Sequence, residues 1–343
     1  MKTLKVHSNQ GVYDIYIGEH ILSILDDVIN PMDIDSICIV TDSNTEEFLP
    51  KFFYELKNLN IPISTVSFSA GEENKNPETL LYLLSEFANK NLTRHSLLIA
   101  LGGGVVGDIT GFAASVYMRG ISFIQIPTTL MAMVDSSVGG KTGVDLPEGK
   151  NLIGSFYSPK AVIADVSFLK SLPDREVKAG LAEVVKYVGL GVKSLYEPLL
   201  SMDYEEIIYQ SCKKKADVVT KDFLDNGERQ FLNFGHTFAH AIEKYYKYTR
   251  LNHGEAVAIG IRLAIEAGIS LGFTDVKCKD YFEELFSKLG ISTKLEIPVI
   301  DIIPLMVGDK KNTVDAINLI LLKDIGEPRI VPITEKRLKE IFR

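Results

Sequence analysis

The chain of 343 residues is long for a single core. It is 46% hydrophobic and 24% charged, the balance of a globular protein that divides into two domains. A net charge of −8 argues against nucleic-acid or anionic-membrane partners, and no apolar run approaches the roughly 20 residues of a bilayer span.

In chain order, Met1-Lys2-Thr3-Leu4-Lys5 leads into an alternating, strand-like segment without the apolar core of a signal peptide. Ser36 to Val40 is a short apolar run, Thr45 to Leu56 reads as a helix, Pro62 to Phe68 as a strand and Pro77 to Ala88 as a helix. Leu97 to Leu101 is a buried strand running into glycines, and Ile121 to Ile126 is another strand. Strands alternating with helices predict an α/β domain with a largely parallel sheet. After Pro173 the pattern turns helical: Arg175 to Leu190, Tyr204 to Thr220, Phe231 to Tyr246, Gly254 to Leu271 and Lys279 to Leu289. Two strand-like pieces, Ala316 to Leu322 and Glu327 to Ile333, precede a short terminal helix. The expected division is therefore 1–172 and 173–343. Cys38, Cys212 and Cys278 are odd in number and scattered, so they form no disulfide framework; a reducing cytoplasm is the expected compartment.

Leu97 to Ala113 reads as strand, glycine turn (Gly102-Gly103-Gly104) and helix. Glycines let backbone N–H groups approach a pyrophosphate, and a helix N-terminus favours the anion. A tight structural turn explains the same spacing. Two further loops at strand ends support a nucleotide crevice: Thr41-Asp42-Ser43-Asn44, with a carboxylate and an amide suited to ribose hydroxyls, and Gly71-Glu72-Glu73-Asn74-Lys75. Pro127 to Gly143 is polar and glycine-rich, with Lys150-Asn151 soon after; its bland reading is a flexible surface loop. Gly139-Gly140-Lys141-Thr142 is not a Walker phosphate loop, because Asp135 stands where that motif needs glycine.

Half of the six histidines lie between residues 236 and 253. His236 and His240 share a helical face, His253 follows thirteen residues after His240, and Glu183 is a candidate carboxylate. Two histidines, a carboxylate and an open position describe a catalytic zinc site. Histidines at this spacing also occur as solvated or hydrogen-bonded core residues. Lys186 sits three residues after Glu183, and Arg229 and Asn233 precede His236 by seven and three. Basic groups beside a metal suggest a phosphorylated, acidic substrate.

These motifs together resemble the 3-dehydroquinate synthase family nearly end to end. They include Asp42-Ser43-Asn44, Gly102 to Asp108, Pro127-Thr128-Thr129, Asp135 to Gly143, Gly180-Leu181-Ala182-Glu183, Gly235-His236-Thr237, His253-Gly254-Glu255 and Asp309-Lys310-Lys311. The resemblance implies a Rossmann-like N-terminal domain, a mostly α-helical C-terminal domain, NAD, zinc or cobalt, and a homodimer. It implies conversion of 3-deoxy-arabino-heptulosonate 7-phosphate, a phosphorylated sugar acid, to 3-dehydroquinate in the shikimate pathway. The implied course is transient oxidation, phosphate elimination, re-reduction and aldol closure.

The resemblance gives Glu183, His236 and His253 as metal ligands, with His240 as a supporting histidine. Asp42, Asn44, Glu72, Lys75, Gly103, Gly104, Val105, Asp108, Thr128, Thr129, Lys141 and Lys150 match cofactor contacts. Asp135, Lys141, Asn151, Lys186, Lys215, Arg229, Asn233 and Lys310 match substrate contacts, and Arg119 an arginine lent to the neighbouring subunit. Departures from the family pattern fall at Asp222-Phe223, Ala239, Asp315 and Asn318. A related sugar-phosphate cyclase, a metal-dependent polyol dehydrogenase and a non-catalytic nucleotide-binding module remain the alternatives.

Overall fold

The computed structural model describes residues 1–306 and 316–343. The chain forms two compact units, residues 1–172 with 215–224, and residues 173–214 with 225–343. The sequence reading puts 215–224 in the second unit. Within the first unit Lys215 Nζ donates to the Asp135 carbonyl at 2.7 Å, Thr220 Oγ1 donates to the His7 carbonyl at 3.2 Å, and the Phe223 ring lies 5.4 Å from that of Phe156. A helical period carries no information about such partners.

The first unit contains β1 (Lys2–Ser8), β2 (Gly11–Gly18), α1 (Ile24–Ile29), β3 (Ile37–Asp42), α2 (Leu49–Glu55), β4 (Ile63–Phe68), α3 (Pro77–Asn89), β5 (Leu97–Gly102), α4 (Gly104–Val116), β6 (Ser122–Pro127), β7 (Lys141–Leu146), β8 (Gly149–Phe156) and β9 (Ala161–Asp165). Its sheet runs β1-β2-β9-β6-β5-β3-β4. Only the β1–β2 edge hairpin is antiparallel; every other pairing in this sheet is parallel. Strands β3, β5 and β9 are buried along their whole length, as central parallel strands covered on both faces should be. The chain leaves β3 towards β4 on one side and continues through β5 and β6 on the other. The carboxyl ends of β3 and β5 thus flank a topological switch point, where open α/β sheets bind ligands. Asp42 closes β3 and Gly102 closes β5.

The sequence reading passes over β9, a five-residue apolar run that follows the turn dipeptide Ser158-Pro159. The segment 127–143 that reads as a flexible loop runs into β7, and the glycines of the β7–β8 hairpin are packing residues. A Cβ on Gly154 would lie 2.1 Å from the Thr142 carbonyl oxygen, and one on Gly143 would lie 2.5 Å from that of Ile153.

The second unit contains α5 (Asp174–Gly189), α6 (Tyr196–Ser201), the start of α7 (Tyr204–Lys221), α8 (His236–Tyr245), α9 (His253–Ser270), α10 (Val276–Lys288), α11 (Val299–Ile302), an antiparallel hairpin of β10 (Ile317–Leu322) and β11 (Pro328–Ile333), and α12 (Glu335–Ile341). The helix expected from Phe231 to Tyr246 breaks at Gly235, whose φ of 82° is left-handed. A 3-10 turn, Glu228–Asn233, precedes the break. Helix α9 is buried along most of its length and packs against α5, α8 and α10. Its alanines and glycines permit this. A Cβ on Gly254 would lie 2.2 Å from the Ala179 carbonyl oxygen of α5, and one on Gly260 would lie 2.2 Å from that of Gly235. Among the described residues no helix is long and apolar enough to cross a membrane.

Candidate active site

Three helices of the second unit supply the candidate metal-ligating group. Glu183 lies in the buried stretch of α5, His236 is the first residue of α8 and His253 the first of α9. Their potential ligand atoms all lie within 4.8 Å of one another. Local chemistry fixes the start of α9. Asn252 is its N-cap and accepts from Glu255 N at 3.0 Å, while Glu255 Oε2 accepts from Asn252 N at 2.9 Å. This capping box satisfies two backbone donors and sets where His253 stands. Arg175 of α5 grips the same carboxylate with two bonds of 2.8 and 2.7 Å. Its hydrogen bond holds the Glu255 carboxyl below the usual carboxylate range.

His236 Nε2 and His253 Nε2 approach the same Glu183 oxygen, Oε1, at 3.3 and 3.4 Å. The opposite ring edges face acceptors: His236 Nδ1 lies 3.2 Å from the Phe234 carbonyl, and His253 Nδ1 lies 3.2 Å from Glu243 Oε1. A proton on Nδ1 leaves the Nε2 lone pair of a neutral ring aimed at an anion. Neither Glu183 oxygen has a hydrogen-bond partner of good geometry among the described residues, although both are buried. A buried carboxylate calls for cationic partners: the Lys186 ammonium meets Oε2, and both imidazoles turn a ligand atom towards Oε1. The donor set of one carboxylate and two imidazoles fits zinc or a similar divalent ion. About a third of the His253 side chain stays open to solvent, which leaves access for an open position.

The electrostatics agree. Burial would raise the Glu183 carboxyl, but the Lys186 ammonium and His236 outweigh it and hold it well below the usual range. Burial pulls the His236 imidazole down despite Glu183, so the ring is a neutral donor. Burial also opposes charge on His253, but the Glu243 carboxylate and the Glu183 contact prevail and push it up to about 10.

Lys186 Nζ is 2.5 Å from Glu183 Oε2, and both side chains are buried. The resemblance gives this lysine to the substrate; here it faces the candidate metal ligand. His240 is exposed one turn along α8, its ring centroid 5.6 Å from that of His236 and 6.2 Å from that of His253. Arg229 is buried in the 3-10 turn, and Asn233 Nδ2 donates to the Gln230 carbonyl at 3.1 Å. Lys310 lies outside the described residues, as do Asp309, Lys311 and Asp315. Glu243, buried and touching a candidate ligand, is missed by the sequence reading. The available signal is its spacing, seven residues after His236 on the same helical face.

In the first unit the glycine turn opens α4. Gly103 is its N-cap, and Gly104, Val105 and Val106 stand in the first turn, whose N–H groups have no partner within the helix. A Cβ on Gly103 would lie 3.1 Å from Thr129 Cγ2, and one on Gly104 would lie 3.0 Å from Ser136 Oγ. Thr128 N donates to the Gly102 carbonyl at 3.0 Å, holding the turn after β6 against the glycines. Asp42 Oδ1 accepts from Asn44 N, Thr45 N and Thr45 Oγ1 at 3.0, 3.1 and 2.8 Å. That oxygen shapes the loop presenting exposed Asn44.

Lys75, Asp108 and Asn151 converge. Lys75 Nζ donates to Asp108 Oδ2 at 2.5 Å and to Asn151 Oδ1 at 2.8 Å. Burial opposes the Lys75 charge, but the Asp108 and Glu72 carboxylates outweigh it and raise the ammonium's pKa. Lys150 pairs with Glu72 at 3.2 Å. Asn151 has a left-handed φ of 54° and donates its N–H to Asp145 Oδ1 at 2.7 Å. Asp135 lies in a single π turn and its Oδ1 pairs with Lys215 at 3.0 Å; exposed Lys141 starts β7. Met118, Arg119 and Gly120 have successive positive φ values of 49°, 67° and 119°, and Arg119 is exposed. Left-handed non-glycine residues in succession store strain, which is commonly retained for function.

Family models described as 3-dehydroquinate synthase N-terminal and C-terminal match residues 65–179 and 180–312. The 3-dehydroquinate synthase of Clostridium acetobutylicum is 38% identical over 100% of this chain and 99% of its own length. That of Helicobacter pylori is 46% identical over 81% of this chain and 83% of its own. Among solved structures, 2-deoxy-scyllo-inosose synthase complexed with carbaglucose-6-phosphate, NAD+ and Co2+ has a TM-score of 0.88 at 27% identity, covering 100% of this chain and 99% of that one. A probable glycerol dehydrogenase from Sinorhizobium meliloti shares the fold, with a TM-score of 0.67 at 13% identity over 96% of this chain and 95% of that one.

Proposed function

The chain belongs to the 3-dehydroquinate synthase family, and on that premise we propose that it converts 3-deoxy-arabino-heptulosonate 7-phosphate to 3-dehydroquinate and phosphate, using NAD and a divalent metal, zinc or cobalt. The convergence of His236 and His253 on one oxygen of the buried Glu183 carboxylate carries this reading. When bound, the metal supplies Lewis-acid polarisation of substrate hydroxyls, and NAD a reversible hydride acceptor.

The chain's own residues do the rest. Glu183, His236 and His253 hold the ion. Two cations then compete for one carboxylate, which frees the Lys186 ammonium to meet the substrate carboxylate. Gly103, Gly104 and Val105 offer backbone N–H groups to the pyrophosphate, while Asp42 and Asn44 serve the ribose. Glu72, Lys75, Asp108, Thr128, Thr129 and Lys150 complete the nucleotide site. Lys141, Asn151, Arg229 and Lys310 recognise the phosphate, joined by Arg119 from a second subunit of a homodimer. Asp135, Lys215 and Asn233 contact the sugar, and His240 supports the metal-binding histidines. The reading assigns the chain to the cytoplasm.

The relatives of 38 to 46% identity are named 3-dehydroquinate synthase, whereas the dehydrogenase-like neighbour shares only the fold. The test is incubation with the heptulosonate phosphate, following phosphate release and NADH absorbance together. Phosphate should appear while NADH shows no net change. NADH accumulation without phosphate would indicate a dehydrogenase and overturn the proposal.

A further inference from the structure

The two candidate imidazole ligands are anchored by different chemistry. His236 Nδ1 faces a neutral backbone carbonyl, that of Phe234, whereas His253 Nδ1 faces the Glu243 carboxylate, each at 3.2 Å. Glu243 lies on α8, the helix that begins with His236, and points to the first residue of α9. Its side chain is 2% exposed. Burying a carboxylate is costly unless it is paired or hydrogen-bonded, and the recorded contact to His253 supplies such a partner. A carboxylate on the far edge of an imidazole fixes its tautomer and ring orientation and increases its basicity as a ligand.

We propose that Glu243 is a positioning residue for the metal centre, holding His253 with its Nδ1 proton inward and its Nε2 lone pair on the ion. The inference rests on the metal site proposed above. A carbonyl is a weaker acceptor than a carboxylate, so the two histidines are unequal ligands. His236 is set by the backbone break at Gly235, which side-chain substitution elsewhere cannot retune. The strength of His253 is set by one replaceable side chain. Glu243 touches no substrate atom in this arrangement; it acts through His253.

The test uses the full chain, stripped of metal and titrated with Co(II) against a chelator of known affinity, with the visible d–d spectrum recorded at saturation. Wild-type protein must first bind one Co(II); failure there would remove the metal site itself and is distinguishable from failure of Glu243. E243Q keeps the shape and an acceptor oxygen but loses the charge. It should bind Co(II) at least tenfold more weakly, in line with the ~10- to 100-fold effects of such partners. Its Co(II) spectrum should also be shifted; its metal-free melting temperature falls as well, because the Glu243–His253 ion pair is lost, so affinity and spectrum are the deciding readouts. A purely structural role would move the melting temperature and leave affinity and spectrum alone. Wild-type affinity together with a wild-type spectrum in E243Q overturns the proposal. Should E243Q not fold, E243D, which withdraws the carboxylate by one methylene, must show a loss of the same order; undiminished affinity there overturns it equally.

Discussion

Gly254 offers the sharpest test of how the metal centre is built. It follows His253 directly and lies against α5, where a Cβ would stand 2.2 Å from the Ala179 carbonyl oxygen and 2.3 Å from its Cα. Ordinary contact starts at 3.4 Å, so Gly254→Ala requires α5 and α9 to part by about 1.2 Å. The obstacle is backbone and cannot rotate away. Ala179 is one turn before Glu183, so the displacement falls on the pair whose Oε1–Nε2 separation is now 3.4 Å. A ligand constellation tolerates about 0.5 Å. Overpacking costs ~1–3 kcal/mol, and alanine's better helix propensity returns up to ~1. The expected result is a modest fall in the melting temperature of the metal-free protein but more than tenfold weaker Co(II) binding, measured by thermal unfolding and chelator competition. Wild-type Co(II) affinity with an unchanged or higher melting temperature would refute the reasoning.

Other expectations follow from the same geometry. His236→Ala should lose metal and activity together, and full occupancy by elemental analysis would remove His236 from the ligand set. Gly104→Val places a branched side chain where a methyl carbon already meets Ser136 Oγ at 3.0 Å, so NAD binding by calorimetry should fall at least tenfold. Glu255 has a lowered carboxyl pKa because of Arg175, so its stabilisation is present above its ordinary value of 4.5 and disappears as pH falls through the lowered one. Glu255→Gln, which retains capping ability, should cost about 0.5 kcal/mol at neutral pH. That difference should shrink in acid, and a constant difference across the acid limb would contradict the assignment. Mixed Arg119→Ala and Lys186→Ala chains should recover activity on subunit exchange, since a hybrid dimer has one complete site; verified but inactive hybrids would end the shared-site idea.

Much of this was legible in the chain because its signals are local. Parallel strands covered on both faces must be uninterrupted apolar runs, and Ile37–Val40 and Leu97–Leu101 are such runs. The glycine turn at residues 102–104 announces itself between a strand and a helix. His236, His240 and His253 stand out because histidine is scarce here, and it is the family resemblance that selects Glu183, His236 and His253 as the ligand set. What stayed hidden depends on contacts between distant segments. Gly143 reads as a loop residue, although it makes room for the facing strand. Glu243 gains a role only when the fold brings His253 Nδ1 to it. Phe234 contributes only its carbonyl, which no side-chain pattern can reveal. The residues of 215–224 are helical in period and say nothing about which neighbours they choose.

The candidate ligands at positions 183, 236 and 253 belong to three helices that no disulfide joins. An ion bound there acts as a removable cross-link, selecting the folded chain over the unfolded one by mass action. At a free-ion concentration a thousandfold above Kd this amounts to ~4 kcal/mol, comparable with the whole stability of a marginal domain. Ion supply would then govern how long each copy survives proteolysis as well as whether it turns over. Scarcity would thin the enzyme population before it slowed the remaining members.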